Sequence, residues 1–215
     1  MQRGSGGGDR AVVGHQLEHL QPRTIMRQPA TGFLAWTVAG LFLAVIPTLL
    51  NGAARTGQAM IGGILGAVLL CSVLAQPLVA RLGAQHAQLA GLGALLISLA
   101  LLALTAGGST SVTPVAAVVA GAGHGLAYGG AAAAIDGSAP AAERGAITGA
   151  LYLVFYLGAG APAVAVGLVT LEHLLATATS WGTAVAAGFV PVVGAAVAVA
   201  GRAKGTSVLA GPPAR

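Results

Sequence analysis

Six apolar stretches, each long enough to cross a bilayer, occupy the chain from about Phe33 to Val199, and nine of its ten positive residues fall on one side of them. A hydrocarbon core of roughly 30 Å needs about 20 helical residues at a rise of about 1.5 Å each. Six such stretches leave little chain for anything else, and each reads as a membrane-spanning helix. The expected fold is therefore all-α: a polytopic membrane protein with six transmembrane helices.

Composition points to lipid rather than water as the solvent. Only 7% of the 215 residues are charged, against about a quarter in soluble domains. The net charge of +5 does not indicate nucleic acid. Its basic residues are spread over helix ends and tails rather than clustered with aromatics, so no nucleic-acid partner is expected. The single cysteine, Cys71, lies in mid-span with no second cysteine to pair with, and reads as a small packing residue. No cofactor or metal set is expected. The acidic residues Asp9, Glu18, Asp136, Glu143 and Glu172 all fall in loops or tails, and no Ser/His/Asp set or HExxH is present, so the chain does not read as an enzyme.

Residues 1–30 carry Gly4, Gly6, Gly7, Gly8, Arg10, Arg23 and Arg27 without a continuous apolar core, and read as a partly disordered cytoplasmic arm rather than a signal peptide. The membrane domain is expected over residues 31–200, with a cytoplasmic tail over 201–215. Within it the spans read Phe33–Leu50, ending near Pro47 with Asn51 and Gly52 breaking the helix; Ala59–Val79, closing on Pro77 and the polar turn Arg81-Leu82-Gly83-Ala84-Gln85; His86–Ala106; Val112–Ile135; Ala146–Val169; and Trp181–Ala200. The even count puts both termini on one side. The arm, the turn after span two, the loop after span four and the tail hold all the Arg and Lys except Arg55, which makes that side cytoplasmic and the protein a multi-pass protein of the cell membrane. Trp181 suits an interfacial anchor on the outer side.

Small residues at four-residue spacing mark faces where helices approach closely in lipid. Span four has Gly121, Gly125 and Gly129, read as a helix-packing face, and Gly62/Gly66 and Gly145/Gly149 repeat the spacing. His124 and Tyr128 share a face of span four, and Thr148, Tyr152 and Tyr156 form a similar stripe on span five. Polar groups in hydrocarbon need partners, so these side chains should face the bundle interior or an aqueous path. They read either as the lining of a substrate path or as space-filling rings that cap one another by hydrogen bonds. His124 is the one ionisable group well inside a span. Pro162 removes a hydrogen bond in the middle of span five, where a bend is expected.

The loops carry a family resemblance. Ala80-Arg81-Leu82-Gly83-Ala84-Gln85 is similar to the D-R-x-G-R-R turn of the major facilitator superfamily, keeping Arg81 and Gly83. Ala139-Pro140-Ala141-Ala142-Glu143-Arg144-Gly145, followed by Gly149, Tyr152, Gly158 and Pro162, resembles the approach to that family's eleventh helix. The Gly-rich span four resembles its tenth, and Gln21 to Arg27 the end of its central loop. The resemblance covers about Gln21 to Arg202 and implies the C-terminal half of a major-facilitator-type bundle. It further implies secondary, alternating-access transport of a small solute, by export, with helices one, four and five lining the cavity and Arg81, Gly83, Asp136, Glu143 and Arg144 in cytoplasmic gating loops. With Ala80, Ala84 and Gln85 in place of the turn's charged residues, Arg81 would pair instead with Glu143 or Asp136. One six-helix half supplies one wall of such a site. The chain then reads as a truncated product, half of a split transporter, or a self-associating protein, whose partners are lipid, a small-molecule substrate and either a second half or another copy. The alternative is a non-transporting six-span scaffold or regulatory subunit.

Overall fold

Proline placement decides how the first two helices run. The computed structural model describes residues 27–52, 57–105, 109–137, 142 and 144–209, and it is helical with no strand among them. Six helices are long and apolar enough to span a membrane: α1 Gln28–Asn51, α2 Gln58–Leu82, α3 Ala84–Thr105, α4 Val112–Asp136, α5 Arg144–Val169 and α6 Leu175–Arg202, whose helix continues to Leu209. Pro29 and Pro114 sit in first turns, where a missing N–H costs least. Pro47 does not end α1, which runs on to Asn51 and Gly52, the residues expected to break it. A π-helical turn over Leu41–Val45 precedes it, closed by Ile46 N–H on the Leu41 carbonyl, and the helix resumes through Ile46–Gly52. The wide turn absorbs a ring that would otherwise press on the carbonyl one turn back. Pro77 likewise does not close α2. It opens a new helical segment, Pro77–Leu82, after a turn at Gln76.

Gly83 ends α2 with φ 76°, a left-handed conformation that a side chain disfavours. Its N–H bonds the Val79 carbonyl at 2.9 Å while its own carbonyl receives Ala87 N–H at 3.0 Å, so one residue stops α2 and starts α3. At the other end of the chain, α6 begins six residues before Trp181, which stands inside the helix with its ring 4.9 Å from that of His173. The expected 1–30 arm lies outside the described residues up to 26, and residues 27–30 already belong to the first helix.

α1 is the most buried helix, and α5 and α6 the least. It packs on α5, α4 and α6; α4 packs on α3 and α2; and α3 packs on α6. Exchanging the first three helices with the last three carries α1–α5 onto α2–α4 and leaves α1–α4 and α3–α6 in place; it also carries α1–α6 onto the much larger α3–α4 contact, while α1–α3 has no α4–α6 counterpart of like extent. Leu34, Val38, Phe42, Leu95, Leu99 and Val190 meet in the centre. Leu70, Leu74, Leu153, Leu157, Val185 and Phe189 point outward, as a lipid-facing surface requires.

With lipid as apolar as leucine, backbone approach and interhelical hydrogen bonds must supply the cohesion. Along α2–α4, a Cβ on Gly121 or Gly125 would strike the Val68 or Ser72 carbonyl. Along α1–α5, one on Gly40 would strike the Ala159 carbonyl, and one on Gly158 the Phe33 carbonyl. The α3–α4 seam is set by Gly91 against the backbone of Ala127 and by Gly123 against Leu95 N. Gly129 meets only side chains, Val79 Cγ2 at 3.0 Å and Gln76 Cγ at 3.8 Å. Gly62, Gly66, Gly145 and Gly149 meet nothing within 4 Å, so the spacing that marks a contact on α4 marks none within the chain on α2 or α5. Hydrogen bonds stitch the same seams: Ser98 donates to the Ala116 carbonyl at 2.9 Å, and Gln88 accepts from Thr31 at 3.2 Å while donating to the Gly130 carbonyl at 3.3 Å.

Candidate functional site

Two glycine seams position the polar side chains of the interior. Gly125 lets α2 approach α4 so closely that Ser72 Oγ reaches His124 Nδ1 at 2.8 Å. On the opposite side of α4, Gly158 brings α5 onto α1, where Thr37 donates both to the Phe33 carbonyl at 2.9 Å and to the Gly158 carbonyl at 3.1 Å. Gly32 leaves room for the Phe155 ring, since a Cβ there would overlap it. The result is a continuous aromatic cluster at the meeting of α1, α4 and α5.

Trp36 of α1 is its hub. Its ring lies edge-on to His124 at 4.9 Å and to Tyr128 at 6.1 Å, and tilted against Tyr156 at 5.8 Å. His124 and Tyr128 stack within 5° of parallel, as their one-turn spacing on α4 dictates. The Tyr128 hydroxyl meets that of Tyr152 at 2.9 Å, and both rings pack edge-on against the fully buried Phe155. Such edge-to-face arrangements bring the electropositive ring edge to the negative face of its neighbour. The cluster is graded across its width: His124 is 8% exposed, Tyr152 40% and Tyr156 62%. One end is sealed in the bundle and the other opens onto the outer face of α5.

Four of the five side chains expected along a substrate path thus come together: His124, Tyr128, Tyr152 and Tyr156. Thr148, half-buried one turn before Tyr152, is not in this ring cluster. Trp36, Ser72 and Phe155 belong to it without having been singled out in the sequence. Trp36 is the fourth residue of the expected span Phe33–Leu50 and the ninth of α1, so its position matched that of an ordinary interfacial tryptophan and did not set it apart. Pro162 is half-buried within α5, which stays helical across it.

The expected gating residues lie elsewhere. Arg81, Asp136 and Arg144 are exposed at helix ends, Gly83 forms the α2–α3 turn, and Glu143 lies outside the described residues, as does Arg55. Arg81 caps the last turn of α2, where a cation complements the carbonyl end of the helix. Among the described residues no three His, Cys, Asp or Glu side chains gather as a metal site would require.

No protein-family model matches the chain, and no curated protein matches it.

Proposed function

We propose that the chain is one six-helix half of a secondary transporter of the major facilitator type, which exports a small solute across the cell membrane by alternating access. The observation that carries this reading is the cluster running from buried His124 through Trp36 to exposed Tyr156. Polar and ionisable side chains inside a span are expensive, and where they occur they mark substrate or ion pathways. Here they come from α1, α4 and α5, the helices that the family resemblance assigns to a cavity wall. The pairing of helices that survives exchange of the first three with the last three supports the same reading, because transporter halves are built from such paired three-helix repeats. A one-walled site open on the face of α5 calls for a second six-helix body, either another polypeptide or another copy. In this reading both termini are cytoplasmic, and Arg81, Asp136, Glu143 and Arg144 lie on the cytoplasmic side.

Solute flux tests the proposal. Proteoliposomes holding this chain alone, and others holding it with a co-expressed six-span polypeptide, are loaded with a panel of small solutes and assayed for release. Flux abolished by Trp36→Ala in either preparation supports transport through the cluster. Absence of flux in both would assign the chain to the alternative, a non-transporting membrane module that scaffolds or regulates a partner.

A further inference from the structure

Two nitrogen atoms of the cluster hold hydrogen-bonding capacity that the fold leaves unused. Trp36 Nε1 and His124 Nε2 are both buried without a partner, on rings 4.9 Å apart. Buried polar groups are almost always satisfied, so two orphans on touching rings need a reason. The chemistry of what would satisfy them is constrained from three directions.

An indole N–H can only donate, so the missing partner of Trp36 must accept. On His124, Nδ1 is engaged by Ser72 Oγ, and Nε2 donates or accepts according to which nitrogen carries the proton. A group with an acceptor and an adjacent donor, such as an amide or a hydroxyl, serves both nitrogens in either tautomer. The cluster of Trp36, Ser72, His124, Tyr128, Tyr152, Phe155 and Tyr156 contains no Asp, Glu, Lys or Arg. A charged group bound there would therefore be desolvated with no permanently charged side chain of the cluster to pair with it.

The rings offer no cage for a cation either. A cation needs ring faces turned toward it. Here Trp36 meets Tyr128 edge-on, Tyr128 and Tyr152 meet Phe155 edge-on, and Tyr152 stacks on Tyr156, so the rings pack on one another rather than around an opening. What the cluster does present is one exposed ring beside a half-buried one: Tyr156, 62% exposed, tilted against Trp36 and flanked by exposed Leu153 and Leu157.

We infer that Trp36 and His124 form a binding subsite for an uncharged, ring-bearing molecule, whose amide or hydroxyl group engages the two nitrogens and whose ring takes the place of Tyr156 against the indole. This rests on the substrate-path reading above and names the substrate class of that path.

The test reads the Trp36 hydrogen bond itself. The chain has two tryptophans, so ¹⁵N-tryptophan labelling of the full chain in lipid nanodiscs yields two indole signals, which the Trp181→Phe variant assigns. Trp181 is exposed and outside the cluster, and reports simple partitioning of a probe into lipid. Benzamide, benzoate and benzyltrimethylammonium share a ring and differ in charge. Benzamide is expected to move the Trp36 indole proton downfield in a saturable way, with Trp181 unchanged, while the two charged probes at the same concentration do not. His124→Leu should weaken the benzamide response by about tenfold, as expected for losing one of two anchoring hydrogen bonds in a dry site. A Trp36 signal silent to benzamide, or equally responsive to a charged probe, overturns the inference, and this arm needs only the wild-type chain. Flux with a silent Trp36 would sink the subsite and leave transport standing. A benzamide response without flux would do the reverse.

Discussion

Ser72 and His124 are joined across the α2–α4 crossing by a 2.8 Å contact between Oγ and Nδ1, at the level where the Gly125 backbone lies against the Ser72 carbonyl. The hydrogen bond and the close approach depend on each other. Without Gly125 the helices stand too far apart for Ser72 to reach, and without the bond a ring nitrogen would be stranded at an apolar seam.

A double-mutant cycle isolates this bond. Ser72→Ala and His124→Leu each remove one partner, and the double variant removes both. Interhelical hydrogen bonds in membranes average about 0.6 kcal/mol and reach about 1.7 kcal/mol. This one is buried, with Ser72 6% and His124 8% exposed, so a coupling energy toward the upper value is expected. Reversible unfolding in mixed micelles measures it, and additive single-variant effects would mean that the two side chains do not interact.

Glycine substitutions should sort by what faces them rather than by spacing. Gly125→Ala drives a methyl into a backbone carbonyl that cannot move without parting the helices, and should destabilise by about 1–3 kcal/mol. Gly129→Ala meets only side chains, a valine methyl and the stem of Gln76, and should cost less. Gly62→Ala faces open space, and the better helix propensity of alanine should make it neutral or stabilising by up to about 1 kcal/mol. The same unfolding assay ranks the three, and an equal loss for Gly62 and Gly125 would refute the seam.

Gln88 ties three helices at once, accepting from Thr31 on α1 and donating to the Gly130 carbonyl on α4. It is 1% exposed. Gln88→Leu keeps the volume but withdraws a partner from both groups, for an expected loss of about 1–3 kcal/mol. Gln58→Leu, at the exposed start of α2, is the control and should change stability by less than about 0.5 kcal/mol.

What the chain disclosed in advance, and what it withheld, follows from the solvent. The thickness of hydrocarbon imposes span length, so six helices were legible from apolar runs alone. Their ends were less so, because Pro47 and Pro77 normally read as stops, whereas a π turn before one and a turn at Gln76 before the other let both helices continue. Pairs within one helix, His124 with Tyr128 and Tyr152 with Tyr156, could be seen from their spacing. Their contacts with Trp36, Ser72 and Phe155 could not. A soluble helix shows which face is inward by being polar on the other, but here both faces are apolar and periodicity carries little register information. The same ambiguity explains why Gly62/Gly66 and Gly121/Gly125 look alike in sequence and differ in the fold.

Orientation is the expectation that charge alone supports, and cysteine labelling reads it directly. With Cys71 replaced by alanine, single cysteines go in at Arg81, in the last turn of α2, and at Ser109, just before α4; successive turns of a helical bundle lie on opposite sides. The excess of arginine on the arm, the α2–α3 turn, the α4–α5 loop and the tail predicts that the side of residue 81 is cytoplasmic. A membrane-impermeant maleimide added to intact cells should label Ser109→Cys and leave Arg81→Cys unmodified until the membrane is permeabilised. Moving charge should then move topology: placing three lysines beside Ser109 while replacing Arg81 and Arg144 with glutamine reduces the imbalance that orients the chain, and should produce a mixed population labelled at both positions. Labelling of residue 81 from outside in the unaltered background would reverse the assignment, turning the expected gating residues toward the exterior while leaving the six-helix fold untouched.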